Sequence, residues 1–340
     1  MNPVSLKDPG MFQAKGLSAE REMTLEVRGL RKYFPVQRGF FQKVGGWVKA
    51  VDGVDFSIGR GRTVGLVGES GCGKSTVARL ILKLLEPDAG DIIYRGQDIS
   101  GLSEKEMKPL RREMQIVFQD PFGSLNPRMT IGQSVEEGLR VRGVPRRERR
   151  DKVDSLLETV GISAGVSDRY PHEFSGGQRQ RVGVARALSV EPSLIICDEP
   201  VSALDVSIQA QIINLLRDLQ EGMGLSYLFI SHDLNVVGYV SDTVAVMYLG
   251  QIMEYAPAEE LFNNPIHPYT LALLSAIPTA EPGHGLKTGP LEGDVPSPLD
   301  PPPGCRFQGR CPLVEARCHE QEIGFSSVAE GHLVRCWKVV

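Results

Sequence analysis

Gly68-Glu69-Ser70-Gly71-Cys72-Gly73-Lys74-Ser75-Thr76 fits the pattern G-x-x-x-x-G-K-[ST], and its reading decides the fold. The apolar run Thr63-Val64-Gly65-Leu66-Val67 precedes it and helix-like residues 77–85 follow. A strand, a glycine-rich loop and a helix in that order make a phosphate-binding loop. Glycines let the backbone close around phosphate oxygens, and the N–H groups at the helix start point at negative charge. Lys74 is placed to reach the β- and γ-phosphates, and Ser75 to hold Mg²⁺ through its hydroxyl. Leu194-Ile195-Ile196-Cys197-Asp198-Glu199 is the matching second half. Its apolar strand delivers Asp198 toward the Mg²⁺ shell and sets Glu199 beside it, where a carboxylate can polarise a water in line with the γ-phosphate.

Working outward, alternation predicts strands at Leu25 and Val27, at Tyr33-Phe34, at Val54, Phe56 and Ile58, and at Ile92-Ile93-Tyr94. Residues 193–197 and Tyr227-Leu228-Phe229-Ile230 are continuous apolar runs, as buried parallel strands require. Helices are expected over 131–141 and 146–160, with Gly143-Val144-Pro145 as the break and residues 39–46 as a hairpin loop. Alternating strands and helices make the core α/β. From Pro278 onward, Pro282, Pro290, Pro296, Pro298, Pro301, Pro302 and Pro303 exclude regular structure and begin a module holding four of the six cysteines.

At 340 residues, the chain has room for two domains or one domain with a large appendage. A formal net charge of -4 is not the basic footprint of a nucleic-acid binder, so no nucleic-acid partner is expected. No apolar stretch approaches the roughly 18 residues that span a bilayer. Residues 1–22 lack the apolar centre of a signal peptide and read as a flexible leader. The expectation is a cytoplasmic protein whose cysteines are reduced or metal-bound. Arg140, Arg142, Arg146, Arg147, Arg149, Arg150 and Lys152 form a basic run, but Glu148 and Asp151 interrupt it, as on a solvated helix.

Phe174-Ser175-Gly176-Gly177-Gln178-Arg179-Gln180-Arg181 places an N-capping serine and two glycines at the start of another helix, a second anion-binding N-terminus. Ser-Gly-Gly-Gln about twenty residues before a strand ending in Asp-Glu resembles the signature of ATP-binding-cassette (ABC) ATPases. Other segments match that family too. Gln119 in Phe118-Gln119-Asp120-Pro121 resembles its Q-loop, Ser202-Ala203-Leu204-Asp205 its D-loop, and His232 in Ile230-Ser231-His232-Asp233 its switch histidine. Tyr33 stands where the family stacks an aromatic ring on adenine. Phe174, where Leu is commonest, is a conservative departure.

The resemblance implies a P-loop NTPase of the ABC type: a parallel-sheet core, an antiparallel β-subdomain and a helical subdomain at about 125–190, all within 23–255. It implies ATP and Mg²⁺ as cofactors, with Ser75, Gln119 and Asp198 around the metal and Glu199, His232, Gln119 and Lys74 in hydrolysis. The nucleotide would be held by Tyr33, residues 68–76, Gln119, Asp198 and His232. Ser175, Gly176, Gly177, Gln178 and Asp205 would clamp the nucleotide on a partner, so that two cassettes sandwich two ATP molecules head to tail.

Leu261-Phe262-Asn263-Asn264-Pro265-Ile266-His267-Pro268-Tyr269-Thr270, Pro296-Ser297-Pro298, and Gly304-Cys305-Arg306-Phe307 through Arg310-Cys311-Pro312 look like the tail of ATPases from oligopeptide and dipeptide importers, here over 256–340. Residues 197–207 resemble the F-type subunit more than its D-type partner. The partners implied are a D-type ATPase in a heterodimer, two transmembrane permeases and, indirectly, an extracytoplasmic peptide-binding protein. The location implied is the cytoplasmic face of the inner membrane. Nickel-chelate and glycan importers share such ATPases. A soluble ABC protein acting on ribosomes or DNA is disfavoured, because one P-loop and no long heptad insertion are present.

Cys305, Cys311, Cys318 and Cys336 stand at C-x5-C, C-x6-C and C-x17-C spacings in a segment with little core expected of its own. A Cys₄ site would supply folding energy there. Zinc prefers closer C-x2-C pairs, and the resemblance implies a [4Fe–4S] cluster; iron–sulfur, zinc and no metal all stay open on spacing alone. Cys72 and Cys197 read as fillers of loop and core. Because the P-loop lies far along the sequence, loss of Cys311 is expected to leave nucleotide binding intact.

Overall fold

The computed structural model describes residues 22–38, 43–120, 123–276 and 296–339. Most of the expected leader, part of the hairpin loop, and Pro121, Pro278, Pro282 and Pro290 lie outside the described residues.

The chain opens with β1 (Met23–Arg38) and β2 (Lys43–Gly59), which pair antiparallel with Leu25 opposite Ile58 and Tyr33 opposite Lys49. β3 (Thr63–Val67) is buried at every position and runs into the phosphate loop, from which α1 (Lys74–Ile81) departs. β4 (Ala89–Tyr94) and β5 (Gln97–Asp98) complete a four-stranded antiparallel sheet in the order β2-β1-β4-β5. α2 (Glu104–Glu113) leads into β6 (Met114–Val117). Three helices follow, α3 (Ile131–Val141), α4 (Arg146–Thr159) and α5 (Gly176–Leu188), before the chain returns as β7 (Leu194–Asp198). The core closes with α6 (Val206–Met223), β8 (Ser226–Ser231), α7 (Leu234–Val240), β9 (Thr243–Tyr248) and β10 (Gln251–Pro257). Beyond it come α8 (Ala258–Asn263), α9 (Pro268–Ser275), α10 (Arg317–Glu320), β11 (Ser326–Ala329) and β12 (His332–Val334).

The second sheet has eight strands ordered β11-β12-β10-β9-β3-β8-β7-β6. From β9 to β6 its neighbours are parallel, and both faces are covered. That explains the unbroken apolar strands: Ile195, Cys197, Tyr227, Phe229, Val244 and Val246 pack into one core, with helices α3 to α6. Their neighbours Leu194, Ile196, Leu228, Ile230, Ala245 and Met247 pack into the other, with α1 and the antiparallel sheet. The helices expected over 131–141 and 146–160 end within a residue of where they were placed, whereas the helix expected over 77–85 starts at Lys74 and ends at Ile81.

The tail departs from expectation. Through Gly304 the described residues are irregular apart from a bridge pairing Leu299 with Val48, but past Pro312, the last proline, β11 and β12 form. They are possible because β12 finds an open edge: Glu254 of β10 pairs with Val334 and Tyr255 with Leu333. Nor does the tail stand without a core. Cys305, Phe307, Cys318 and Ile323 are buried within the main cluster. The basic run is matched by carboxylates, as a solvated surface would be: Arg140 and Arg149 meet Glu136, Arg142 meets Glu191, and Arg150 meets Asp154 and Asp168.

Candidate nucleotide site

The phosphate loop follows β3, Gln119 follows β6, Glu199 follows β7 and His232 follows β8. All four therefore gather at the carboxyl ends of the parallel strands, where open α/β sheets bind ligands.

The loop is threaded where side chains have no room. A Cβ on Gly68 (φ 154°) would lie 2.1 Å from Met247 O, and one on Gly73 (φ 112°) 2.0 Å from Ala50 O. Both residues thus need glycine for space as well as for backbone conformation. Gly250 N–H donates to Cys72 O at 2.9 Å and anchors the loop from below. Cys72 is buried, and burial pushes its thiol pKa up despite nearby Lys74. On the outer side Ser70 and Gly71 are exposed, and a Cβ on Gly71 would meet nothing within 4 Å. Lys74 Nζ donates to Gly68 O at 2.7 Å and Glu69 O at 3.1 Å.

Ser75 Oγ donates to Asp198 Oδ1 at 2.9 Å, joining the start of α1 to the end of β7. Burial, and then the neighbouring Glu199 charge, raise the Asp198 pKa, while the Ser75 bond lowers it. A hydroxyl beside a carboxylate is a hard oxygen set that suits Mg²⁺, and the Lys74 ammonium held on the loop carbonyls suits phosphate. Glu199 adopts φ 49°, a left-handed backbone rare for a side chain of its size. Its N–H donates to Ile230 O at 2.9 Å, and its carbonyl accepts from Ser202 N and Oγ. One of its carboxylate oxygens, Oε2, accepts from Gln119 Nε2 at 3.1 Å and lies 3.2 Å from His232 Nδ1. Gln119 thus stands on Glu199 rather than on the pair of Ser75 and Asp198.

Tyr33 does not present a free ring. Its hydroxyl donates to Asp52 Oδ1 at 2.5 Å, Lys49 Nζ stands 5.7 Å from its ring centroid, and burial followed by the Asp52 bond raises its pKa. Ser175 caps α5, with Gln178 N–H donating to its Oγ at 3.3 Å and Gln178 Oε1 accepting Ser175 N–H at 3.0 Å. A Cβ on Gly177 would lie 2.4 Å from Ile208 Cγ2, so glycine there lets α5 press on α6. Asp205 is the N-cap of α6, and Val206 beside it is 82% exposed. Among the described residues these signature contacts stay within α5, α6 and their flanks and do not reach residues 68–76. Gln180, absent from the sequence expectations, ties α5 to the Q-loop by donating to Phe118 O at 3.4 Å.

Cys305, Cys311, Cys318 and Cys336 are drawn into one neighbourhood. Cys305 N–H donates to Cys318 O at 2.8 Å, and a Cβ on Gly304 (φ 80°) would lie 2.2 Å from Cys318 O. Burial, then the other three cysteines, push the Cys305 pKa up to about 11; Cys311 and Cys336 are raised chiefly by burial too. The expectation of a formed metal site is not met, however: among the described residues no group of three or more His, Cys, Asp or Glu is disposed to hold a metal ion.

A profile described as "ABC transporter" matches residues 51–202, and one described as "Oligopeptide/dipeptide transporter, C-terminal region" matches residues 253–318. The oligopeptide transport ATP-binding protein AppF of Bacillus subtilis is 53% identical over 323 residues, 94% of this chain and 98% of that protein. This chain is an ATP-binding subunit of the oligopeptide/dipeptide ABC transporter family. The dipeptide transport ATP-binding protein DppF of Haemophilus influenzae is 48% identical over 94% of the chain and 98% of that protein. Among solved structures, cbiO1 of Clostridium perfringens, part of the ABC transporter complex cbiONQ, superposes with TM-score 0.62 at 30% identity, covering 72% of this chain and 92% of that one. An ATP-binding cassette solved as a dimer in a post-hydrolysis state with ADP and phosphate gives TM-score 0.61 at 27% identity, covering 69% and 98%. The ABC ATPase fold of this family member is thereby established, and ATP hydrolysis is the activity that goes with it.

Sequence reasoning missed several residues beside the site, among them Asp52, Tyr269, Arg306 and Arg310. Arg306 and Arg310 were visible within the tail motif, but nothing in a linear pattern says what a guanidinium some 240 residues away touches.

Proposed function

We propose that this chain is the ATP-hydrolysing subunit of a membrane importer of di- and oligopeptides, working on the cytoplasmic face of the cell membrane. The observation that carries the reading is the join of Ser75 to Asp198, with Glu199 next in sequence holding Gln119 and His232 on one oxygen. Ser75 and Asp198 would hold Mg²⁺, which would supply charge neutralisation at the transferred phosphoryl group. Lys74 meets the β- and γ-phosphate oxygens, leaving the loop carbonyls it now occupies. Glu199 accepts a proton from the attacking water as its oxygen bonds to the γ-phosphorus and the bond to ADP breaks. His232 and Gln119 orient that carboxylate and sense whether the γ-phosphate is present.

Ser175, Gly176, Gly177 and Gln178 face the nucleotide of a second cassette, a D-type subunit, in this reading; exposed Val206 beside Asp205 is consistent with a surface covered by a partner. Of two permease subunits, one docks on this chain at the groove of about 360 Å³ between α2 and α3, whose lining includes Lys108, Arg112, Phe118 and Val141. Phe118, next to Gln119 in sequence, is 41% exposed and Val141 49%, so a docked helix there would feel movement of the Q-loop. A peptide-binding protein outside the membrane completes the system. Among the described residues no helix is long and apolar enough to cross a membrane, so translocation belongs to the permeases.

The ATPase domain spans 23–255 and the importer-type extension 256–340 in this reading. On the resemblance of the tail, Cys305, Cys311, Cys318 and Cys336 would hold a [4Fe–4S] cluster once it is inserted; the backbone bond from Cys305 N–H to Cys318 O, at 2.8 Å, supports the reading by bringing two of the four together. Purification of the complex from detergent-solubilised membranes, reconstitution into liposomes and assay of peptide-dependent ATP hydrolysis test the function. Failure to copurify with permeases refutes it. Hydrolysis stimulated by a nickel chelate or a glycan but not by peptides corrects the solute.

A further inference from the structure

Glu69, the second residue of the phosphate loop, is gripped from the tail. Arg310 Nη1 meets Glu69 Oε2 at 2.8 Å and Nη2 meets Oε1 at 3.2 Å, a forked two-point contact. Glu69 N–H donates to Tyr269 Oη at 3.0 Å, and Glu69 O accepts from Lys74. Its backbone and side chain are thus both committed, and Lys74 rests on a carbonyl whose place Arg310 and Tyr269 fix. Beneath lies an aromatic cluster in which Phe307 packs 5.4 Å from Tyr248 and 5.3 Å from Tyr269, centroid to centroid.

The other end of the site is held by the same segment. Arg306, only 3% exposed, pairs with Asp52, and Asp52 accepts the Tyr33 hydroxyl. Residues 306–310 therefore supply one buried arginine toward the aromatic expected at the base and another toward the loop expected at the phosphates. Cys305 and Cys311 bracket this segment, and Cys305 is tied to Cys318 by a backbone bond. Buried guanidinium groups are costly unless paired, so a segment serving only to fill the core would be better built from apolar residues.

We propose that Arg310 and Arg306 are positioning residues for the nucleotide, one acting on the phosphate loop through Glu69 and the other on Tyr33 through Asp52, with the cysteine-bracketed segment setting the distance between them. The proposal rests on the nucleotide-site reading above. It turns the tail from an appendage into the floor of that site.

The test uses the full chain, fluorescent ATP and GTP analogues, and thermal melting without nucleotide. Arg310→Ala is expected to weaken both analogues about tenfold, the scale of one lost charge-assisted contact. Glu69→Ala should do the same, and the double variant should be no weaker than either single one. Arg306→Ala should weaken ATP more than GTP, because it acts at the base; a bracing role alone would not change base preference. Arg310→Lys, which keeps the charge but loses the fork, covers the case where alanine unfolds the tail, and it should fall between wild type and alanine. Wild-type affinity in folded Arg310 variants, or a loss that vanishes once the folded fraction is counted, overturns the proposal. Lys74→Ala separates the two levels: if it binds as tightly as wild type, the nucleotide site itself has been misread.

Discussion

His232 Nδ1 lies 3.2 Å from Glu199 Oε2, the oxygen that also accepts the Gln119 amide at 3.1 Å. Three segments separated by up to 113 residues of sequence (119 to 232) thus share one carboxylate oxygen, and Glu199 itself holds a left-handed backbone. Such strain at a site is held in place by the bonds around it, here those to Ile230 O and from Ser202. Replacing Glu199 with Gln keeps the shape and an accepting oxygen but removes the base. Turnover of the assembled complex should fall by at least about 10²-fold, the low end for a positioned general base. ATP affinity should stay within about twofold, since the phosphates are held elsewhere. Near-normal hydrolysis would remove Glu199 from the role.

Lys74→Ala deletes the ammonium that meets the phosphates, and two loop carbonyls lose the partner they now have. Calorimetry on the full chain should show ATP binding weakened by at least about tenfold, as expected for one charged contact to phosphate. Lys74→Arg should not restore it, because a planar fork does not reproduce the point-charge contacts that the ammonium makes to Gly68 O and Glu69 O.

Ser175→Arg puts bulk at the start of α5, away from the chain's own phosphate loop. Isolated full-length protein carrying it should bind ATP like wild type, whereas hydrolysis in the two-cassette complex should collapse. Loss of ATP binding by the folded, isolated variant would contradict the head-to-tail arrangement.

His267 is the N-cap of α9: its Nδ1 accepts Tyr269 N–H at 3.0 Å, and its ring is 1% exposed. Burial lowers its pKa to about 4, with Glu254 opposing. An unfolded histidine takes its proton near 6.5, so the stability due to neutral His267 is fully present above that pH. It is lost as pH falls from 6.5 toward 4, by up to about 3 kcal/mol below the folded value. His267→Asn keeps a capping acceptor that does not titrate. Melting curves of that variant should therefore lose less between pH 7 and pH 4.5 than those of wild type; parallel pH profiles would show that His267 is not the group responsible.

The cysteine cluster predicts a brown protein after anaerobic purification, with about four irons per chain. Gly304→Ala, whose Cβ would strike Cys318 O, should cost iron without touching a thiol, by separating the two backbones that bring Cys305 to Cys318. Stoichiometric zinc would correct the metal. Four alkylatable thiols in native, metal-free, anaerobic protein would dispose of the site. The sequence alone suggested that Cys311→Ser leaves nucleotide binding intact, but distance along the chain is not distance in space. Arg310 beside Cys311 holds Glu69, so this variant is expected to weaken ATP binding as well.

The sequence by itself determined the α/β class, the buried central strands and the position of the phosphate loop. Its unbroken apolar runs at residues 194–197 and 227–230 can be buried only in a sheet covered on both faces, and a glycine-rich loop between strand and helix has one strong physical use. Helices α3 and α4 were legible because the Gly143-Val144-Pro145 break between them is a local signal. What only the tertiary structure decided was convergence. Glu199 collecting Gln119 and His232, β12 finding the open edge of β10, and Arg306 and Arg310 reaching Asp52 and Glu69 depend on where distant backbones pass one another. Side chains that meet by long-range packing leave no periodic trace in the sequence, because their spacing is set by the sheet and not by the chain between them.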